Sequence, residues 1–170
     1  MTLIKSISGI RGTIGGKSGE SLTPVDVVKF SAAYATWLAA QFPAKTKCKV
    51  VLGRDARISG PMIHNLVCGT LAAMGIDVID VGLSTTPTVE MAVTFHQAHG
   101  GIILTASHNP KQWNALKLLN SKGEFISAAD GETLQGQRPH RSLHRVHGRR
   151  RDQRLADGRR RACRRDPAHD

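Results

Sequence analysis

The sequence predicts an α/β fold with a mainly parallel sheet and helices on both faces, in a three-layer α/β/α arrangement. Short apolar runs at residues 49–53, 77–82 and 102–105 alternate with segments of helical periodicity, which is typical of strands joined by helical crossovers. The chain of 170 residues is long enough for one domain with a sizeable core. We place that domain at residues 1–135.

The first helix is predicted by its capping residues. Thr23 is suited to the N-cap, Pro24 to the first helical position and Asp26 to the first turn. The apolar residues that follow recur at spacings of three and four up to about Phe42, and Pro43 blocks continuation. We therefore expect one face of this helix to pack on the core.

Similar signals predict the later elements. Residues 59–61, Ser-Gly-Pro, begin a second helix that Gly75 ends, and a third helix is predicted over about 87–99. Segments 116–119 and 124–126 flank the turn sequence Asn-Ser-Lys-Gly, which predicts a hairpin at the edge of the sheet.

Charge is distributed unevenly along the chain. The formal net charge is +11, and residues 131–170 hold 12 of the 24 Lys and Arg residues. Residues 136–170 contain no Ile, Phe, Met, Trp or Tyr, so they have too little apolar surface to offset the conformational entropy of ordering. We therefore predict that residues 136–170 form a disordered, arginine-rich tail.

The composition leaves two origins open for this tail. It also lacks Asn and Lys; since many of the missing residue types have A/T-rich codons, we hypothesise a frameshift near Gly136. The alternative is a basic module that binds RNA or DNA. The tail has no aromatic residue to stack on bases and no helical periodicity, so we do not expect a nucleic-acid partner.

The sequence favours a reduced, cytoplasmic protein. Cys48, Cys68 and Cys163 are far apart and form no CxxC or Cys/His spacing, so neither a disulfide framework nor a zinc site is predicted. No apolar run reaches the length of a membrane span, and the first residues lack a signal-peptide core. We therefore expect no membrane partner.

The residues that follow each apolar run are the candidates for chemistry, because open α/β sheets bind ligands beyond the carboxyl ends of their strands. Three such segments are residues 54–60, 84–87 and 105–110. The last, Thr-Ala-Ser-His-Asn-Pro, presents a hydroxyl, an imidazole and an amide in a turn, although an ordinary strand-to-loop turn also has this composition. A serine hydrolase is disfavoured, since Ser107 is not in a G-x-S-x-G elbow and adjacent Ser107 and His108 would point in different directions from an extended backbone.

Four motifs together resemble the α-D-phosphohexomutases, the family of phosphoglucomutases, phosphomannomutases and phosphoglucosamine mutases. Residues 105–110 resemble the family's phosphoserine loop, and residues 8–12, Ser-Gly-Ile-Arg-Gly, resemble its amino-terminal active-site motif. Matches also occur within residues 53–60 and at 114–117, in the family's order. The resemblance covers about residues 1–130, the first of the family's four domains.

The resemblance implies an intramolecular phosphotransferase that interconverts hexose or aminohexose 1-phosphates and 6-phosphates through a sugar bisphosphate. Ser107 is then the residue that is phosphorylated, and its phosphate is a ligand of Mg²⁺. Arg11 and Lys117 would stabilise the transferring phosphate oxygens, and Lys117 or His108 would move the proton of the sugar hydroxyl. The substrate is a phosphosugar, whose identity cannot be read from these motifs.

Two departures from the family matter. Ala115 replaces the usual Gly of the motif at 114–117, which is harmless only if this residue keeps a negative φ. The family's metal, sugar and phosphate loops are absent from this sequence, so we expect a fragment that is inactive alone, or one whose partner chain supplies the missing domains.

A geometric expectation follows from these roles. Ser107 should lie just beyond the strand at 102–104 with its hydroxyl exposed, and Arg11 and Lys117 should reach the same loop, Lys117 from the start of the edge hairpin.

Overall fold

The computed structural model of the protein describes residues 1–6 and 9–136. Along the chain the elements are β1 (Ile4–Ser6), β2 (Gly9–Thr13), α1 (Pro24–Ala40), β3 (Lys49–Arg54), α2 (Gly60–Ala73), β4 (Asp77–Leu83), α3 (Thr86–Phe95), β5 (Gly100–Leu104), β6 (Trp113–Leu119) and α4 (Ala128–Gly136). The predicted tail, apart from Gly136, lies outside the described residues, as does Ser8 of the motif at 8–12.

The six strands form one mixed sheet in the order β1-β2-β6-β5-β3-β4. β3 pairs in parallel with β4 and β5, whereas the pairs β1–β2, β2–β6 and β5–β6 are antiparallel. The expectation of a mainly parallel sheet was therefore wrong. β6 runs antiparallel to β5 because the connection between them, residues 105–112, is too short for a helical crossover.

β6 is an interior strand, so the predicted edge hairpin was also wrong. The turn itself forms: the amide of Asn120 donates to the carbonyl of Glu124 at 2.8 Å. The return segment, however, makes only an isolated bridge between Leu119 and Phe125. Because β2 and β5 occupy both edges of β6, the return segment cannot pair along its length.

The predicted three layers are confirmed within the described residues. Alternate strand residues point to opposite faces of a sheet, and here Val50, Leu52, Ile102 and Leu104 pack with α1, α2 and α4. On the opposite face, α3 packs on Val51, Ile103 and Leu119.

α1 begins where its capping residues predict. Thr23 and Asp26 form a capping box, and Pro24 is the first helical residue. α1 ends at Ala40, close to the predicted end. None of the helices in the described part of the chain combines the length and apolarity needed to cross a bilayer.

α3 is shorter than predicted and ends at Phe95. The chain turns at Gln97, which has a φ of 49°, and buries Ala98 beneath the helix. His99 Nδ1 then accepts a hydrogen bond from the amide of Lys49 at 3.0 Å. These contacts position the start of β5 and prevent α3 from continuing to residue 99.

Candidate active site

The loop from β5 to β6, residues 105–112, presents Ser107 just beyond the carboxyl end of β5. Ser107 is exposed, and its φ of 52° lies in the left-handed region that L-residues adopt at a cost in free energy. The amide of Asn109 donates to the carbonyl of Ala106 at 3.0 Å, which closes the turn. Ser107 is thus held at the apex of a tight turn.

Two side chains support this turn: Asp55, at the end of the neighbouring strand β3, and Thr105, which directly follows β5. The Thr105 hydroxyl donates to Asp55 Oδ2 at 2.7 Å, and the amide of Ser107 donates to Thr105 Oγ1 at 3.1 Å. Asp55 Oδ1 also accepts from the amide of Arg57 at 3.0 Å. A chain of hydrogen bonds therefore connects β3 to the backbone of Ser107.

The guanidinium of Arg57 binds four backbone carbonyls of the loop region. Nη2 donates to the carbonyls of Ser107 and Asn109 at 2.7 and 2.8 Å. Nη1 donates to those of Pro110 and Trp113 at 2.8 and 3.0 Å. Sequence reasoning placed Arg57 in a motif but gave it no role, because no periodicity or spacing reveals that a side chain will meet a loop some fifty residues later.

Arg11, Ser107, His108 and Lys117 border one open pocket of about 190 Å³. Arg11 reaches it from β2, which pairs with β6 in a register that places Arg11 opposite Ala115. Lys117 follows two positions later on β6 and faces the same side of the sheet. The structure therefore brings together the four residues that the sequence singles out, from three separate elements.

The pocket is electropositive. Its lining residues include Arg11 and Lys117 and no carboxylate, and neither cation belongs to an ion pair among the described residues. Arg11 Nε is buried without a hydrogen-bond partner in the part of the chain that the structure describes. Since an unpaired buried donor on a charged group is costly, this arrangement suits an anion bearing several acceptor oxygens.

Lys117 is partly buried beside an aromatic ring. Its ammonium group lies 5.6 Å from the centroid of the Phe125 ring, a distance at which the ring attracts a cation. In the sheet, Lys117 pairs with Ile103 of β5. The side chain is therefore confined by the sheet and by the segment that follows the turn after β6.

Close approach of β2 and β6 depends on Gly9. Gly9 has a φ of 119°, and a Cβ at this position would lie 2.1 Å from the carbonyl oxygen of Leu116. Ala115, in contrast, is a paired residue of β6 and is not among the described residues with positive φ. Ala115 therefore meets the condition for replacing the family's Gly, which is the absence of a positive φ.

The described residues do not form a magnesium site by themselves. They contain no group of three His, Cys, Asp or Glu side chains that could hold a metal ion. The carboxylate of Asp55, the acid that supports the Ser107 loop, is engaged by Arg57 and Thr105. A phosphorylated Ser107 alone would supply too few of the six oxygens that Mg²⁺ prefers. The expectation that Mg²⁺ binds a phosphorylated Ser107 therefore needs ligands beyond these residues.

Comparison with known proteins finds relatives that are named as sugar-phosphate mutases. A family profile described as "Phosphoglucomutase/phosphomannomutase, alpha/beta/alpha domain I" matches residues 3–139. A phosphoglucomutase/phosphomannomutase of Thermococcus kodakarensis is 40% identical over 114 residues, which are 66% of this chain and 25% of that protein. A phosphoglucosamine mutase of Nautilia profundicola is 37% identical over 126 residues, which are 73% of this chain and 28% of that protein.

The fold also matches a solved structure. The crystal structure of a phosphoglucomutase/phosphomannomutase family protein from Burkholderia thailandensis superposes with a TM-score of 0.64 and 28% identity, covering 78% of this chain and 30% of that one. This chain thus spans only about a quarter to a third of the length of the relatives it matches.

Proposed function

This chain belongs to the phosphoglucomutase/phosphomannomutase family as its α/β/α domain I, and we propose that it carries the phosphorylated serine of a phosphohexomutase. The reaction is the interconversion of hexose or aminohexose 1-phosphates and 6-phosphates through a sugar bisphosphate. The observation that carries the proposal is the shared pocket, in which an exposed Ser107 lies with Arg11, His108 and Lys117 and without a carboxylate.

The chemical step transfers a phosphoryl group between Ser107 and the sugar. A sugar hydroxyl attacks the phosphorus of phosphorylated Ser107, a new P–O bond forms, and the bond from phosphorus to Ser107 Oγ breaks. His108 or Lys117 takes the proton of the sugar hydroxyl and returns it to Ser107 Oγ, so the serine leaves as a neutral hydroxyl. The reverse step, from the other phosphate of the bisphosphate, restores the phosphoserine.

The cations of the pocket stabilise the charge of this step. A phosphoserine carries nearly two negative charges at neutral pH, and phosphoryl transfer depends mainly on positioning and charge neutralisation. Arg11 supplies a guanidinium with an unused buried donor, and Lys117 supplies an ammonium group on the same face of the sheet. Mg²⁺ would need ligands from outside the described residues, which do not complete its coordination.

The alternative of a nucleic-acid-binding module receives no support from the described residues. The basic segment on which it depends lies outside them. The pocket offers a cationic surface with no Phe, Tyr or Trp among its lining residues, whereas sequence-tolerant binding of single strands uses aromatic stacking.

Phosphoryl capture tests the proposal directly. The full chain is incubated with glucose 1,6-bisphosphate, and the modified residue is located by mass spectrometry of its peptides. We expect one phosphoryl group on Ser107, none in Ser107→Ala, and normal capture in Ser121→Ala, which removes an exposed hydroxyl of the turn after β6. Labelling that persists in Ser107→Ala, or an unmodified wild-type chain, would contradict the proposal.

A further inference from the structure

We propose that Arg57 is the positioning residue of the phosphoserine loop: its guanidinium holds Ser107 in the left-handed conformation that presents the hydroxyl to the pocket. The inference rests on the proposed function and deepens it, because it assigns a role in the same site to a residue that does not line the pocket.

Every N–H donor of the Arg57 guanidinium is used. Two donors of Nη1 and two of Nη2 bind the four backbone carbonyls, and Nε donates to Asp55 Oδ2 at 3.2 Å. The side chain of Arg57 is 12% exposed, so most of it is shielded from water. A planar fork of five donors is specific to arginine, and the three donors of a lysine cannot reproduce it.

Three of the four carbonyls, those of Ser107, Asn109 and Pro110, lie in the loop between β5 and β6, and the fourth belongs to Trp113, the first residue of β6. Residues 105–112 connect two antiparallel strands without regular structure of their own, yet Ser107 adopts a φ of 52°. Such conformations persist only where the surroundings over-determine them. Arg57 holds the carbonyl of Ser107, and the Asp55–Thr105 pair holds its amide, so both peptide groups of the serine are fixed.

The charge of Arg57 does not act on substrate. Its ion pair with Asp55, 3.2 Å between Nε and Oδ2, compensates the guanidinium, and Arg57 is absent from the lining of the pocket. Arg11 and Lys117 have no such pairing in the described structure. Arg57 therefore differs from the two pocket cations: its loss should slow the transfer without weakening the binding of bisphosphate.

The test compares the full chain with Arg57→Ala, Arg57→Lys and the matched control Arg54→Lys. Arg54 is the last residue of β3, and its guanidinium donates one hydrogen bond, from Nη1 to the carbonyl of Asp55 at 3.2 Å. The rate of Ser107 phosphorylation is measured against the concentration of glucose 1,6-bisphosphate, with and without dilute guanidinium ion, alongside amide exchange of residues 105–112. Arg57→Lys keeps the experiment informative if Arg57→Ala does not fold.

We expect the maximal rate to fall about 100-fold in Arg57→Ala, as for a misplaced reacting group, with the half-saturating bisphosphate concentration unchanged. Guanidinium ion should restore part of the rate in Arg57→Ala only, Arg57→Lys should remain slow, and loop amides should exchange faster in both variants. Arg54→Lys should behave as wild type.

Two results would overturn the inference while leaving the proposed function intact: normal phosphorylation in the Arg57 variants, or a rate loss that appears wholly as weaker bisphosphate binding. If the wild-type chain takes no phosphoryl group, the proposed function fails. The amide exchange of residues 105–112 alone then tests whether Arg57 positions the loop. Unchanged exchange in Arg57→Ala then refutes it, and faster exchange supports it.

Discussion

At the scale of single residues, the site stores backbone strain at the position where chemistry is proposed. A non-glycine residue in the left-handed region costs about 1–2 kcal/mol, and Ser107 adopts it with a φ of 52°. Glycine would relieve this strain but would remove the hydroxyl. The hydrogen bonds from Arg57 and through Thr105 offset this cost. This explains why the charged pair of Arg57 and Asp55 lies beneath a loop that has no regular structure.

Asp26 is a second residue whose environment is unusual. Burial by itself raises the pKa of this carboxyl, but hydrogen bonds from the side chains of Thr23 and Ser18 and from the amides of Thr23 and Gly19 outweigh it and lower the pKa below its ordinary value. The carboxylate thereby joins the start of α1 to the glycine-rich segment before it.

Asp26→Asn should lower the free energy of unfolding by about 1–2 kcal/mol at neutral pH, because it removes a charged acceptor from the capping box. A depressed folded pKa means that the stabilisation is complete above the unfolded value near pH 4 and is lost as the pH falls through the lower folded value. Urea unfolding of both proteins, repeated at neutral pH and below about pH 4, measures the difference, which should shrink on acidification.

Asp77→Asn is the control for this experiment. Asp77 pairs with Lys47 at 2.7 Å, but both side chains are at least half exposed, so its loss should cost no more than about 1 kcal/mol at neutral pH. A difference between Asp26→Asn and wild type that stays constant or grows at acid pH would contradict the assignment.

The residues of the pocket were predictable from motifs, whereas their support was not. Ser107, Arg11 and Lys117 follow from short patterns that resemble a known family. Arg57 and Asp55 belong to another such pattern, but their contacts with the loop depend on β3 lying beside β5 in the sheet. Strand order cannot be predicted from local sequence.

At the scale of elements, one buried hydroxyl adds polar contacts to the apolar packing of α1 on the sheet. Tyr34 Oη donates to the carbonyls of Leu119 and Gly101 at 2.7 and 3.3 Å. Burial raises the pKa of Tyr34 far above its ordinary value, so the hydroxyl remains a donor. Gly100 permits this approach, because a Cβ there would lie 2.2 Å from Tyr34 Oη.

Tyr34→Phe should lower the free energy of unfolding by about 1–2 kcal/mol, because two buried strand-end carbonyls lose their shared donor. The matched control is Thr36→Val, since the Thr36 hydroxyl bonds only to the carbonyl of Ala32 within α1 among the described residues. Chemical unfolding should show a change of at most about 0.5 kcal/mol in that control. Equal losses in the two variants would exclude a special role for Tyr34 in joining α1 to the sheet.

Helix starts were predictable because capping is local, but the partners of β6 were not. Thr23 is the N-cap, as predicted, and it forms a capping box with Asp26. In contrast, β2 was not predicted as a strand, so β6 was assigned to an edge. α4 was missed as well. Its signal was the pair Ser127 and Asp130, whose hydrogen bonds cap the helix in the spacing of a capping box.

At the scale of the whole molecule, the site is the meeting point of segments from both ends of the described chain. α3 covers Val51, Ile103 and Leu119 on one face of the sheet, and the pocket with Arg11 and Lys117 lies open beside the end of β5. The layered fold could be predicted because alternating strands and helices are sufficient for it. The position of β2 beside β6 could not, since it depends on long-range pairing of the two strands.

The isolated chain should capture a phosphoryl group yet show no mutase turnover, because the sugar-, metal- and phosphate-binding loops that the family resemblance implies are absent from this sequence. A coupled assay with hexose 1-phosphate, bisphosphate and Mg²⁺ measures turnover. The positive arm is a chimera in which residues 3–139 replace the matching domain of the Thermococcus kodakarensis relative, whose 40% identity favours correct packing.

We expect the chimera to turn over and its Ser107→Ala form to lose that activity, since only the complete set of loops surrounds both ends of a bisphosphate while Ser107 exchanges the phosphoryl group. The chimera with Arg54→Lys should retain activity and serves as the folding control. Ser107-dependent turnover by the isolated chain would mean that the pocket of Arg11, His108 and Lys117 suffices to bind and reorient the sugar, and the view of this domain as one part of a larger active site would then be wrong.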